Sequence, residues 1–150
     1  MKILAVDDDN AVRISLNVMF RKWNDIKLEV AEDANVALEK LATNEYLMMF
    51  CDIDMPGMNG LELLKIVKEK YPRMPVVMLT GNQDIKTPIQ AFREGAMDYL
   101  QKPMQTASVR ETIDNALRYV EEEMKKDIDV IELDDFKKIN DTLGHATGDK

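Results

Sequence analysis

The sequence holds one cysteine, one histidine and one tryptophan in 150 residues. A lone cysteine cannot close an intrachain disulfide, and such usage suits a reducing compartment, so the cytoplasm is the expected location. The single histidine, His145, has no companion for a histidine-based metal site. No apolar run approaches the length of a membrane span. The opening Met1-Lys2-Ile3-Leu4-Ala5-Val6 runs straight into acidic residues without a cleavage region, so no signal peptide is expected. Positive charge is also short: 20 basic residues stand against 28 acidic ones, net −8. That balance disfavours nucleic-acid binding through phosphate neutralisation. Internal repeats and low-complexity segments are absent as well. Membrane, secreted and disordered classes are therefore set aside.

What the chain does have is 45% apolar residues, enough at this length for one core without covalent staples. Short apolar runs alternate with helical periodicity. Ile3 to Val6, Leu28 to Ala31, Leu47 to Cys51, Val76 to Leu79 and Met97 to Leu100 read as five strands. Val12, Leu16, Met19 and Phe20 mark one face of a first helix, with Asn10 as its expected cap. Asp33 is placed to cap the second helix, whose apolar face is Ala34, Ala37, Leu38 and Leu41. Leu63, Ile66 and Val67 mark the third helix, and Ile85 to Glu94 the fourth, stopping at Gly95. The last helix keeps Val109, Ile113, Ala116, Leu117 and Val120 on one face. Five strands alternating with five helices imply βαβ units, a parallel sheet and helices on both faces.

In an open parallel sheet, ligands bind beyond the carboxyl ends of the strands. Asp7, Asp8 and Asp9 follow the first strand, Asp52 and Asp54 the third, Thr80 and Gly81 the fourth, Lys102 and Pro103 the fifth. The first, third, fourth and fifth strands adjoin in the common doubly wound order, so these groups converge on one crevice. Crowded carboxylates raise one another's pKa unless something neutralises them. A hard divalent cation with oxygen ligands is the economical answer, and Mg²⁺ suits such a site. The bland alternative for Asp7-Asp8-Asp9 alone is a solvated turn and helix cap. It loses ground once a second acidic strand end, a Thr and a Lys-Pro join the set.

Four motifs carry a resemblance. Val6-Asp7-Asp8-Asp9, Cys51-Asp52-Ile53-Asp54-Met55-Pro56-Gly57-Met58-Asn59-Gly60, Leu79-Thr80-Gly81 and Gly95-Ala96-Met97-Asp98-Tyr99-Leu100-Gln101-Lys102-Pro103 are similar, in order and spacing, to the receiver domain of two-component response regulators. The resemblance spans roughly residues 1 to 122. It implies a flavodoxin-like α/β fold, a doubly wound five-stranded parallel sheet in order 2-1-3-4-5. It implies that Asp52 is the phosphoacceptor, and that Asp7, Asp8, Asp52 and the backbone carbonyl of Asp54 hold Mg²⁺, or Mn²⁺ in its place. Thr80 would hydrogen-bond the phosphoryl oxygen, Lys102 would form its ion pair, and Tyr99 would change rotamer on activation. Asp54 and Asn82 could flank the attacking water and tune hydrolysis. Cys51 faces away from Asp52 and reads as inert core. The eleven Met residues read as gap-filling core, with Met55 and Met58 as candidate partner contacts, and Trp23 packs at the end of the first helix.

Residues 1–126 are read as this receiver and 127–150 as an acidic tail, not an independent domain. The tail carries seven acids and three bases, half of the chain's net charge. Val130 to Leu133 could form a strand, and Phe136, Ile139 and Leu143 a helix closed by Gly144. The run from Ile131 to Asp149 resembles the first strand and helix of a diguanylate cyclase domain. There Glu132 stands where that family has a metal-binding Asp, and Asn140 and Asp149 match guanine-contacting positions. The Gly-Gly-Asp/Glu-Glu-Phe loop is missing, so the tail reads as a remnant, a truncation or an engineered join without activity of its own.

The expectation is a cytoplasmic phosphorylation-controlled binding module rather than an enzyme with its own substrate. Its phosphate would come from a sensor histidine kinase or a phosphotransfer protein, and its output would be contact with an effector protein. Neither nucleic acid nor membrane is expected as a direct partner, and a homodimer is open. One alternative is the regulatory fragment of a diguanylate cyclase response regulator. Another is a receiver-like scaffold that never accepts phosphate.

Overall fold

The computed structural model describes residues 1–81 and 86–143. Five strands, β1 (Lys2–Val6), β2 (Lys27–Ala31), β3 (Met48–Asp52), β4 (Val76–Thr80) and β5 (Asp98–Gln101), alternate with five helices. The helices are α1 (Asn10–Phe20), α2 (Ala34–Thr43), α3 (Gly60–Lys70), α4 (Lys86–Arg93) and α5 (Thr106–Leu143). The strands form one parallel sheet in the order β2-β1-β3-β4-β5. Both fold class and strand order match the expectation.

The alternation of side chains along each strand explains why both faces are covered. Leu4, Val6, Met49, Cys51, Val76 and Met78 point to one face, where Ala34, Ala37 and Leu41 of α2, Leu63, Leu64 and Val67 of α3 and Ala91 of α4 pack. Ile3, Ala5, Met48, Phe50, Val77 and Leu79 point to the other, against Leu16, Met19 and Phe20 of α1 and Val109, Ile113 and Ala116 of α5. Strands buried on both faces must be apolar throughout, which is why β3 and β4 read as unbroken runs. Cys51 is fully buried as expected, and burial holds its thiol well above the ordinary range.

Two local expectations are corrected, and the Asp33 cap is borne out. Asp9, not Asn10, caps α1: its side chain accepts from the Ala11 N–H at 2.9 Å, while Asn10 is already helical. Asp33 and Asn59 cap α2 and α3 through Val36 N and Glu62 N. Residues 130–133 are not a strand, because α5 runs unbroken through them to Leu143. A lone strand would leave its N–H and C=O groups without a ladder, whereas a helix satisfies its own. At 38 residues α5 extends about 57 Å, so the boundary expected at residue 126 falls within one helix. Asn82, Gly144, His145 and Asp149 lie outside the described residues.

Candidate functional site

Strand register does most of the assembly. Val6 pairs with Cys51 and Asp52 with Leu79, so Asp7 and Asp52 emerge side by side at the carboxyl edge. Thr80 pairs with Gln101, which brings Lys102 in behind them, and the Lys102 N–H donates to the Thr80 carbonyl at 2.7 Å.

Asp7 is fully buried and Asp52 nearly so. Asp7 Oδ1 accepts from the Asp9 N–H at 2.9 Å, closing the turn that launches α1. Lys102 Nζ lies 2.8 Å from Asp7 Oδ2 and 3.1 Å from Asp52 Oδ1, so one ammonium serves two carboxylates. Even so, Asp7 Oδ2 has no hydrogen bond of acceptable alignment. Asp8 is exposed at the mouth, and Asp7, Asp8 and Asp52 each offer an oxygen within 4.8 Å of the others.

The electrostatics follow from this crowding. Burial first, then the charge of Asp7, lifts the Asp52 pKa to about 7, against the pull of Lys102. Burial opposes the charge on Lys102, but Asp7 and Asp52 together hold its pKa above the usual lysine value. The set is therefore short of positive charge. Three hard oxygen donors, one buried and unbonded and one open to solvent, fit a divalent cation that keeps some of its waters.

The other expected residues surround this centre. Thr80 is buried at the end of β4. Asp54 is exposed, and its N–H donates to Asp52 Oδ1 at 3.3 Å. Tyr99 points outward, 42% exposed, with its ring edge-on to Phe92 at 5.8 Å. Trp23 follows α1 and packs edge-on against Phe20 at 4.9 Å.

Two residues escaped the sequence reading. Arg13 reaches back from α1 to donate to the Asp7 carbonyl at 2.5 Å. Its only sequence signal is a basic residue one turn beyond an acidic loop. Gly60 opens α3 so close to Asp52 that a Cβ there would lie 2.0 Å from the Asp52 carbonyl oxygen. A glycine directly after a helix cap was its signal.

The family model described as "Response regulator receiver domain" matches residues 3–114, three quarters of the chain. The chain belongs to the response regulator receiver family. A second model, "Diguanylate cyclase, GGDEF domain", matches residues 97–150, a partial hit that includes the tail. The DNA-binding transcriptional regulator NtrC of Proteus hauseri is 32% identical over 145 residues, covering 96% of this chain but 30% of that protein. The transcriptional regulatory protein FixJ of Bradyrhizobium diazoefficiens is 31% identical over 125 residues, covering 83% of this chain and 60% of its own. The chain thus spans 30% to 60% of the length of those relatives. A solved CheY-like receiver domain from Methanospirillum hungatei superposes with a TM-score of 0.76 at 30% identity, covering 81% of this chain and 97% of that one. Receivers bind Mg²⁺ in an acidic pocket and work between histidine kinases and effectors, and the aspartate cluster of this receiver could hold such an ion. Among its described residues no helix is long and apolar enough to cross a membrane.

Proposed function

We propose that Asp52 accepts a phosphoryl group and that the resulting charge switches a protein-binding surface. The observation that carries this reading is the convergence of Asp7, Asp8, Asp52 and Lys102 on one strand edge. Transfer requires alignment and charge neutralisation more than covalent assistance. An Asp52 carboxylate oxygen forms a bond to phosphorus as the bond from phosphorus to the donor's leaving atom breaks, and the leaving group departs with that electron pair. Where the donor is a phosphohistidine, the broken bond is P–N. Attack by water on the acyl phosphate later returns the carboxylate and inorganic phosphate.

Asp7, Asp8, Asp52 and the Asp54 carbonyl would hold Mg²⁺, or Mn²⁺. When bound, the ion supplies neutralisation of phosphoryl oxygens. Lys102 supplies fixed positive charge beside Asp52 and pairs with the product dianion. Thr80 donates its hydroxyl to a phosphoryl oxygen, and Tyr99 then moves into the space its displacement opens. Asp54 tunes access of water. A shift of Thr80 and Tyr99 changes the surface formed by α4, β5 and α5, which is where an effector would read the signal.

The phosphodonor would be a cytoplasmic sensor histidine kinase or phosphotransfer protein, and the receiver would catalyse its own phosphorylation and hydrolysis without further enzymatic activity. Residues 1–126 would carry this function, with 127–150 as an acidic tail. Pairing of two copies is compatible with the reading. The match of residues 97–150 to the cyclase model favours one second reading, that this receiver regulated a diguanylate cyclase. On that reading the catalysis lies elsewhere, since the tail lacks the Gly-Gly-Asp/Glu-Glu-Phe loop and carries Glu132 at the metal position.

Intact mass after incubation with acetyl phosphate, with and without Mg²⁺, tests the proposal. The expected outcome is a gain of one phosphoryl group in wild type with Mg²⁺ and none in Asp52→Asn. Equal gain in both proteins would remove Asp52 from its role.

A further inference from the structure

We infer that Gly60 is a positioning residue for Asp52, seating the first turn of α3 directly on the peptide that carries the acceptor. The inference rests on the reading of Asp52 as phosphoacceptor but concerns how its backbone is held.

The geometry is a close approach of two backbones. A Cβ at Gly60 would lie 2.0 Å from the Asp52 carbonyl oxygen, 2.8 Å from its carbonyl carbon and 2.8 Å from Ile53 Cα. All three are main-chain atoms, so no side-chain rotation could relieve the overlap. The demand is for space and not for a left-handed conformation, because Gly57 and Gly95 are the glycines with positive φ among the described residues. On the same turn the Gly60 N–H donates to the Ile53 carbonyl at 2.9 Å. The Cys51 thiol lies under both segments, 3.5 Å from the Asp52 carbonyl oxygen and 3.8 Å from that of Gly60. Asp52 is thus held from the α3 side through its main chain, while Lys102 and the Asp54 N–H hold its carboxylate.

Any side chain at residue 60 must push α3 and the Asp52 peptide apart. Restoring ordinary contact needs a separation of more than about 1 Å, and a misplacement of that size costs on the order of 100-fold in rate. Since the error is one of alignment, it should enter the rate at saturating donor and leave half-saturation nearly untouched.

The test measures phosphorylation by acetyl phosphate with Mg²⁺ in the full chain. Gly60→Ala should keep a native circular dichroism spectrum and lose about 100-fold in saturating rate, with half-saturation within about threefold of wild type. Asn59→Ala is the structural control. It removes the cap of α3 and should lower the melting midpoint by about 3–5 °C while leaving the rate within about threefold. Wild-type rate in Gly60→Ala, or equal slowing in Asn59→Ala, would overturn the inference. A crystal structure of Gly60→Ala reads the displacement without any chemistry. An unmoved Asp52 carbonyl would also overturn it, whereas a displaced carbonyl in a protein whose wild type takes no phosphate would indict the acceptor assignment alone. Should Gly60→Ala not fold, Cys51→Ala removes the thiol support without adding an atom. A drop of about three- to fivefold in saturating rate at constant half-saturation supports the inference, and an unchanged rate rejects it.

Discussion

The two edges of the sheet treat charge in opposite ways. Around the α1–β2 turn and the starts of β1 and β3, the acids each meet a direct hydrogen-bonding partner that favours their charged form. Arg110 meets Asp25 through two nitrogens at 2.9 and 3.2 Å, and also reaches Asp114. Glu29 takes the Tyr46 hydroxyl at 2.7 Å and Lys2 at 3.3 Å. Both acids titrate below their ordinary values, Asp25 chiefly through Arg110 and Glu29 chiefly through Tyr46. At the carboxyl edge, two buried carboxylates share one ammonium with a third carboxylate close by, and burial drives Asp52 the other way. One edge is built for stability. The other gives up stability to keep a charge deficit that a cation or a phosphoryl group can exploit.

Removing the crowded charge should show the largest effect. The raised pKa means that the folded state holds its Asp52 proton more tightly than the unfolded chain does. Stability from this group is therefore lost as pH climbs from about 4 to about 7, and the full penalty stands above that. In the absence of divalent ions, Asp52→Asn should exceed wild type in stability by on the order of 3 kcal/mol at pH 8, with the gap closing near pH 4. Urea melts at the two pH values check it, and a gap independent of pH would erase the contrast between the edges.

Removing the shared cation comes next. Lys102→Ala strands two buried carboxylates and should cost about 2–3 kcal/mol at pH 8, the fifth of Lys102 left exposed moderating the loss. Added Mg²⁺ should recover part of this, measured as a shift of the denaturation midpoint. If Mg²⁺ recovered nothing, the cluster would not be a cation site. The smallest effect belongs to the paired edge. Tyr46→Phe removes one hydrogen bond to Glu29 and should cost about 1 kcal/mol, with phosphorylation unchanged by the same mass assay.

The legible parts of the molecule were those written locally. Apolar runs such as Leu47 to Cys51 announced central strands, and the acids following Val6 and Cys51 announced the crevice once parallel order was assumed. Asp33 could be named as a cap because its preference acts within three residues. What escaped depends on contacts across the chain. Nothing in periodicity says that Arg13 returns to the Asp7 carbonyl, or that α3 abuts Asp52. The outward-pointing Tyr99 ring packs edge-on against Phe92, seven residues away on α4. The extent of α5 was missed because a short stretch with three apolar residues in four looks alike in a strand and in a helix.

Trp23 has a use that its packing does not advertise. It is the sole indole of the chain, wedged between the Phe20 ring at the end of α1 and the Arg110 guanidinium, 5.4 Å from its ring centre, on α5. Topology sets it at the strand edge opposite Asp52, a five-residue strand length or about 17 Å away along the sheet. Its emission is therefore an intrinsic optical gauge of how α5 sits on α1, shielded from direct quenching by whatever enters the acidic crevice. A spectral change at Trp23 on phosphorylation would have travelled through the fold, and it can be read without attaching a dye.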